Sequence, residues 1–339
     1  MTNGHQRLDD LWRRGSEFLG TRHAIMGGAM TWLSERHLVA ALSNAGGFGV
    51  IACGSMSPEL LSREIRASRQ LTDQPFGVNL ITLHPDLDDL IGVCEAEKVS
   101  HVVLAGGLPS GASIQRIKAF GAKVICFSPA LVLAKKLLRS GADALVIEGS
   151  EAGGHIGPVS TSVLAQEILP HINEVPVFVA GGLGRGEAIA AYLEMGASGA
   201  QLGTRFVCAS ECVAHPDFKQ AFIRANARDA VPTVQLSAKF PVIPVRALKN
   251  KGTERFMEIQ RHTIARFERG ELDPTEAQLT IEHFWAGALR RAAIEGDVES
   301  GSLMAGQSVG MVNSVRPTAE IMADLIDQAV RYLERGQHS

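Results

Sequence analysis

A (β/α)₈ barrel with a small helical subdomain inserted after its eighth strand is the fold the sequence predicts, and three observations predict it. Eight short, continuously apolar runs recur along the first two thirds of the chain. Helix-compatible stretches separate them. More than a hundred residues are left after the eighth run, too many for one barrel helix. Short runs that are apolar throughout suit parallel strands covered on both faces. Alternation of strand and helix makes the sheet parallel, and eight such units closing on themselves make a barrel. An open doubly wound sheet is the competing architecture, and the count of eight is against it.

The strands are expected at 24–28, 49–52, 76–80, 101–105, 123–127, 144–147, 177–180 and 199–202. Helices are expected between them, for example SERHLVAALSNAG (34–46), SPELLSREIRASRQL (57–71), PALVLAKKLLRSG (129–141) and GRGEAIAAYLEMG (184–196). Ser34 and Ser57 have the side chain of an N-cap, and Gly46, Gly141 and Gly196 stand where an apolar face stops. Residues 210–310 read as mostly helical, with a polar stretch at 239–253, and are expected to form a lid over the barrel mouth. The segment AEIMADLIDQAVRYLERG (319–336) is amphipathic and should return to the barrel wall. The expected division is therefore a barrel of 1–209 and 311–339 with a lid of 210–310.

Composition sets the remaining bounds. The 339 residues are 45% hydrophobic and 20% charged, ordinary globular values that allow a large core. A formal net charge of -3 gives no pull toward nucleic acid or an anionic membrane. The five cysteines, Cys53, Cys94, Cys126, Cys208 and Cys212, form no CxxC pair, and nothing beside them completes a zinc set. Reduced, mostly buried thiols and no metal site are the expectation. The opening MTNGHQRLDDLWRRGSEF is polar, without the apolar core of a signal peptide, and no apolar run reaches the length of a membrane span. A cytoplasmic protein is expected.

Function in a barrel sits at the C-terminal ends of its strands. Glycine-rich turns accumulate there: Gly27-Gly28-Ala29-Met30 after the first strand, Gly106-Gly107 after the fourth, EGSEAGGHIG (148–157) after the sixth, AGGLGRGE (180–187) after the seventh and GTRF (203–206) after the eighth. Glycine lets backbone approach a ligand closely, and exposed N–H groups bind phosphate. Gly181, Gly182, Gly203 and Thr204 fall where barrels often hold a phosphate, although one such loop alone would read as a tight turn. His155 follows the sixth strand and has the side chain suited to proton transfer near neutral pH, or to bonding its own loop. Asn79 and Glu148 are polar groups closing apolar strands, a costly placement unless partners are found, in the core or on a cofactor. His5, His37, His262 and His338 read as surface residues, and His101 and His215 as structural. The run Arg246, Lys249, Lys251, Arg255, Arg261, Arg266 and Arg269 reads as a solvated helical face balanced by Glu254, Glu258 and Glu268, or as a dock for an acidic partner or a nucleotide phosphate. No glycosidase acid pair and no GxSxG elbow is present.

PFGVN, EGSEAGGHIG, AGGLGRGE and QLGTRF together resemble the nitronate monooxygenase family, once called 2-nitropropane dioxygenases, which includes the flavin-dependent enoyl-ACP reductases. EAGGHIG (151–157), PVRALKN (244–250) and GDVESGSLMAGQSVGMV (296–312) lean toward that reductase branch. The resemblance runs from about residue 24 to 330. It implies FMN, with Ala180, Gly181, Gly182, Gly203 and Thr204 at the phosphate and Gly28, Ala29, Met30 and Asn79 along the isoalloxazine. Glu148, Gly153 and Gly154 join that cofactor set, Gly306 and Gln307 close around the ring, and His155 is the catalytic histidine. One departure stands out: the Gln-Gly-Gly-Met pattern common after strand one reads Gly27-Gly28-Ala29-Met30 here.

The resemblance implies an NAD(P)H-dependent reductase of 2-enoyl thioesters, using NADPH or NADH, with acyl carrier protein as a partner and a homodimer as the assembly. Nitronate monooxygenase and NAD(P)H:quinone reductase are alternatives on the same scaffold. A non-catalytic phosphate-ligand-binding barrel is the alternative of another class.

Overall fold

Eight parallel strands close into one barrel in the computed structural model, which describes residues 3–234, 236 and 244–335. The barrel strands are β1 (Ile25–Gly27), β2 (Gly49–Ala52), β3 (Phe76–Ile81), β4 (His101–Ala105), β5 (Lys123–Phe127), β6 (Ala144–Glu148), β8 (Val177–Ala180) and β9 (Gly199–Leu202); β7 (Gly154–His155) lies outside the barrel. Each pairs in parallel with its neighbours around the ring, β1 with β9 and β6 with β8 included. A parallel bridge between Met26 and Phe48 joins β1 to β2 and closes it. All eight expected strands are present, and their apolar runs are buried on both faces as a helix-covered sheet requires.

Helices cover the outer wall. In chain order they are α1 (Asn3–Leu19), α2 (Arg36–Asn44), α3 (Pro58–Leu71), α4 (Leu87–Ala96), α5 (Gly111–Ala119), α6 (Leu131–Ser140), α7 (Thr161–Ile168) and α8 (Gly186–Glu194). Ser57 caps α3 by accepting from the Leu60 N–H, and Gly141 ends α6 in the left-handed region at φ 103°. Ser34 does not cap α2; the Glu35 carboxylate does, because the Ser34 hydroxyl is already committed to the loop before it. Helix α1 was not read from the sequence. It lays Leu8, Trp12 and Leu19 into the core and closes the barrel bottom.

That closure shows which strand face is the interior. The Phe18 ring packs on His101 of β4 and on Phe178 of β8, strands on different sides of the ring, so both side chains point inward. Register then carries the assignment along each strand with period two. His101, Val103 and Ala105 face in, and with them Asn79, which is level with Val103. Phe178 and Ala180 face in, and with them Glu148 and Gln201, both level with Ala180.

Beyond β9 the chain makes α9 (Thr204–Val207) and α10 (Pro216–Arg224), leaves the wall, and returns where Ala209 bridges Arg316. Helix α13 (Thr318–Arg335) then packs on α8 and α1. The intervening stretch holds α11 (Lys251–Glu268) and α12 (Pro274–Ala293) around a core of Val245, Phe256, Ala277, Ile281 and Trp285. It also holds strands that the helical reading missed. β10 (Ala230–Pro232) and β11 (Val245–Leu248) form an antiparallel sheet whose third strand is β7. Arg246 is consequently not on a solvated helical face: it is buried on β11. His338 and the first part of the polar stretch 239–253 lie outside the described residues. Among the described residues no helix is long and apolar enough to cross a membrane, and the five cysteines are buried free thiols.

Candidate active site

The interior register puts three polar side chains at mouth level: Asn79, Glu148 and Gln201. Across the β6, β8, β9 and β1 strands one row reads Glu148, Ala180, Gln201, Met26. Asn79 is 4% exposed and its Nδ2 donates to the Val103 carbonyl at 3.2 Å, so the amide finds a partner inside the barrel. Burial alone pushes the Glu148 carboxyl up to about 8. Gln201 escaped the sequence reading. The signal was available, a lone amide in the apolar strand GAQL, the same signal that singled out Asn79.

Next to this floor, β8 runs into Gly181 and Gly182, both in the left-handed region with φ 90° and 73°. Only glycine adopts such consecutive angles without strain. A side chain on Gly181 would also press on the Gly149 carbonyl oxygen, 2.9 Å from the added carbon. The Thr161 hydroxyl, at the start of α7, lies 3.0 Å from the Gly181 carbonyl and 3.0 Å from the Glu151 carboxylate. Glu151 also accepts from the Thr161 N–H at 2.9 Å and so caps α7 from the preceding loop. Among the described residues, no protein acceptor pairs with the N–H of Gly182, Leu183, Gly203 or Thr204. Four donors at the ends of two adjacent strands, in partly buried backbone, are a fitted site for a phosphate.

The first mouth loop is drawn against this cradle. Gly28 N–H donates to the Leu202 carbonyl at 2.8 Å, and a carbon added to Gly28 would lie 3.1 Å from the Gly203 Cα. The Ser34 hydroxyl accepts from the Met30 N–H and donates to the Gly28 carbonyl, each at 2.9 Å, which holds Gly28, Ala29 and Met30 in one tight turn. From the far side the returning chain closes in. Gly306 N–H donates to Thr204 Oγ1 and Gln307 N–H to the Glu151 carbonyl, both at 2.9 Å. Gly153 and Gly306 touch backbone to backbone, with 2.5 Å from a carbon added on Gly153 to the Gly306 nitrogen. Gly28, Met30, Gly153, Gly203, Thr204, Gly306 and Gln307, scattered in sequence, are thus brought to one rim.

His155 stands apart from the strand ends. It is exposed on β7, paired with Val245 of the three-stranded antiparallel sheet, while Gly154 at φ 82° pairs with Arg246. Arg246 Nε donates to the Ser150 carbonyl at 2.8 Å and its Nη1 to the Ala230 carbonyl at 2.6 Å. The buried guanidinium therefore fixes the loop that carries His155. The other histidines of interest among the described residues are structural or at the surface. His101 Nε2 donates to the Phe18 carbonyl at 3.0 Å, His215 caps α10, and His37 and His262 are exposed. The assembled rim offers backbone donors for an anion, a polar floor and, at its edge, the His155 imidazole.

A family model described as nitronate monooxygenase matches residues 13–328. The solved structure of FabK from Thermotoga maritima is 39% identical, covers 96% of this chain and 98% of its own, and superposes with a TM-score of 0.85. A (3aS,4S,5R,7aS)-5-hydroxy-7a-methyl-1-oxo-octahydro-1H-indene-4-carboxyl-CoA dehydrogenase from Mycobacterium tuberculosis is 29% identical over 348 residues, 94% of this chain and 96% of that protein. A nitronate monooxygenase from Paraburkholderia phytofirmans is 27% identical over 369 residues, 94% of this chain and 95% of that protein.

Proposed function

The chain belongs to the nitronate monooxygenase family and is an oxidoreductase, leaning to the FabK-like branch, and from that premise we propose that it is an FMN-dependent reductase of 2-enoyl thioesters. One observation carries the cofactor: four amides without protein acceptors face the rim beside a floor of Glu148, Gln201 and Asn79. That combination suits a phosphate at one end and a polar ring at the other. The substrate class rests on similarity. FabK, an enoyl-ACP reductase, and the carboxyl-CoA dehydrogenase both bear on acyl thioesters. When bound, FMN supplies a two-electron relay between a nicotinamide, NADPH or NADH, and the β-carbon of the enoyl group.

In this reading the N–H groups of Gly182, Leu183, Gly203 and Thr204 hold the phosphate, and Ala180 and Gly181 leave room for it. Gly28, Ala29, Met30, Asn79, Glu148, Gly153 and Gly154 line the ring, and Gly306 and Gln307 close the rim over it. His155 donates a hydrogen bond to the thioester oxygen as negative charge develops there and delivers the proton to the α-carbon. The acyl group arrives on a carrier such as acyl carrier protein, and the assembly is a cytoplasmic homodimer.

Nitronate oxidation is the second reading, favoured by the relative of that name; His155 then acts as base on a nitroalkane or assists the nitronate. Anaerobic mixing of the purified protein with NADPH or NADH separates the two. Bleaching of the flavin band by either nucleotide, reversed by a crotonyl thioester, is the expected result. Reversal only by a quinone would point to a quinone reductase. Bleaching by a nitronate and by neither nucleotide would replace the reading with the monooxygenase. His155→Ala should lower turnover about a hundredfold or more with flavin content unchanged; unchanged turnover in a fully loaded variant refutes its role.

A further inference from the structure

The floor of the mouth holds a carboxyl group with no charge set against it. Glu148 ends β6 on the interior face. On one side its row continues through the Ala180 methyl to the Gln201 amide, and on the other β5 brings Phe127, level with Val146. The titratable and charged groups of the surrounding elements are engaged elsewhere. Glu151, in the loop after β6, accepts from Thr161. Arg246 of β11 donates to the Ser150 and Ala230 carbonyls. His155 stands exposed on β7. Lys123, at the far end of β5, donates to the Phe18 carbonyl at the barrel bottom. On β8 and β9 the inward neighbours, Phe178, Ala180 and Gln201, do not titrate.

We propose that Glu148 is a neutral carboxylic acid in the working enzyme and holds the flavin ring as a hydrogen-bond donor, so that its ionisation loosens the ring. The donor role rests on the FMN reading; the neutral state rests on the barrel alone. An ionised carboxylate in this place would be half-buried on a floor of neutral side chains with no cation set against it, which is costly enough that the group keeps its proton. Burial is indeed what drives its titration upward. The direction of the hydrogen bond follows from chemistry. The polar edge of an isoalloxazine is rich in acceptors, and a carboxylic O–H serves an acceptor where a carboxylate repels it. The Gln201 amide, one strand further, is a second neutral group on the same floor.

Two measurements test this. Difference infrared spectra of the wild type against Glu148→Gln should show a protonated-carboxyl stretch at neutral pH that is lost as pH rises through about 8. Absence of that band at neutral pH overturns the proposal whether or not flavin is bound. The dissociation constant for FMN should rise about tenfold per pH unit above the transition in the wild type and stay level in Glu148→Gln. Parallel curves for the two proteins overturn the donor role. Protein that is colourless and takes up no FMN overturns the flavin reading and the donor role with it, while the infrared band still decides the charge state.

Discussion

At Glu148, function and stability pull in opposite directions. Its folded-state titration lies near 8, well above the ordinary carboxylate value of 4.5. The folded protein therefore binds more protons than the unfolded chain between those two values, and stability falls as pH rises through that window. Glu148→Gln should remove the penalty and stabilise the protein by on the order of 2 kcal/mol at neutral pH. Thermal unfolding at several pH values checks it: the variant should lead at neutral and alkaline pH and converge with the wild type in acid. His155 shows the limit of residue-level reading. Its place after the sixth strand was legible as EAGGHIG, but its pairing with Val245 was not, because the partner strand lies some ninety residues away and neither strand is long enough to show a period.

Among the elements, the approach of α8 to α13 turns on one glycine. A carbon added at Gly186 would collide with the Leu325 carbonyl oxygen and the Ala329 nitrogen of α13. Backbone cannot yield as a side-chain tip can, so Gly186→Ala should push the helices apart and cost about 3 kcal/mol. A lowered urea midpoint with the slope unchanged would bear this out, and an unchanged midpoint would show that the helices can slide. Barrel strands were easy to read because burial on both faces leaves them apolar throughout. Helix α1 was not, because its buried positions, Leu8, Trp12 and Leu19, are thinly spread among charged residues. The strands of the antiparallel sheet failed for another reason: β10 and β11 are short and interrupt a stretch of helical composition.

In the whole molecule, the barrel bottom sets the response to acid. His23 and His101 are buried under α1, His23 against the Trp12 ring and His101 on the Phe18 carbonyl. Burial lowers both from 6.5 to about 4. The unfolded chain takes up protons in that window and the folded protein does not, so the stability they contribute is intact above 6.5 and is lost as pH falls toward 4. Glu148 acts with the opposite sign from 4.5 to 8. For these three groups together stability should peak near pH 6.5, two histidines outweighing one acid below it. Urea unfolding across pH checks this, and His101→Gln should flatten the acid limb. An acid limb as steep in that variant as in the wild type would show that His101 is not buried neutral.

The sequence by itself determined the class of fold, the eight strands and the loops that carry chemistry. Each of these is a local pattern: apolar runs, caps, glycine after a strand. It also marked His155, Asn79 and Glu148 by the oddness of a polar group in its local setting. Tertiary structure alone decided which of those groups share a surface. Inward facing depends on the register of closed strands, and so Gln201 joins Glu148 only once Ala180 lies between them. Likewise Gly306 reaches Thr204 across 102 positions because the chain returns at Arg316. The physical reason is that side-chain pattern is written along the chain over a few residues, whereas a site is made by closure, which brings together groups that carry no mark of each other.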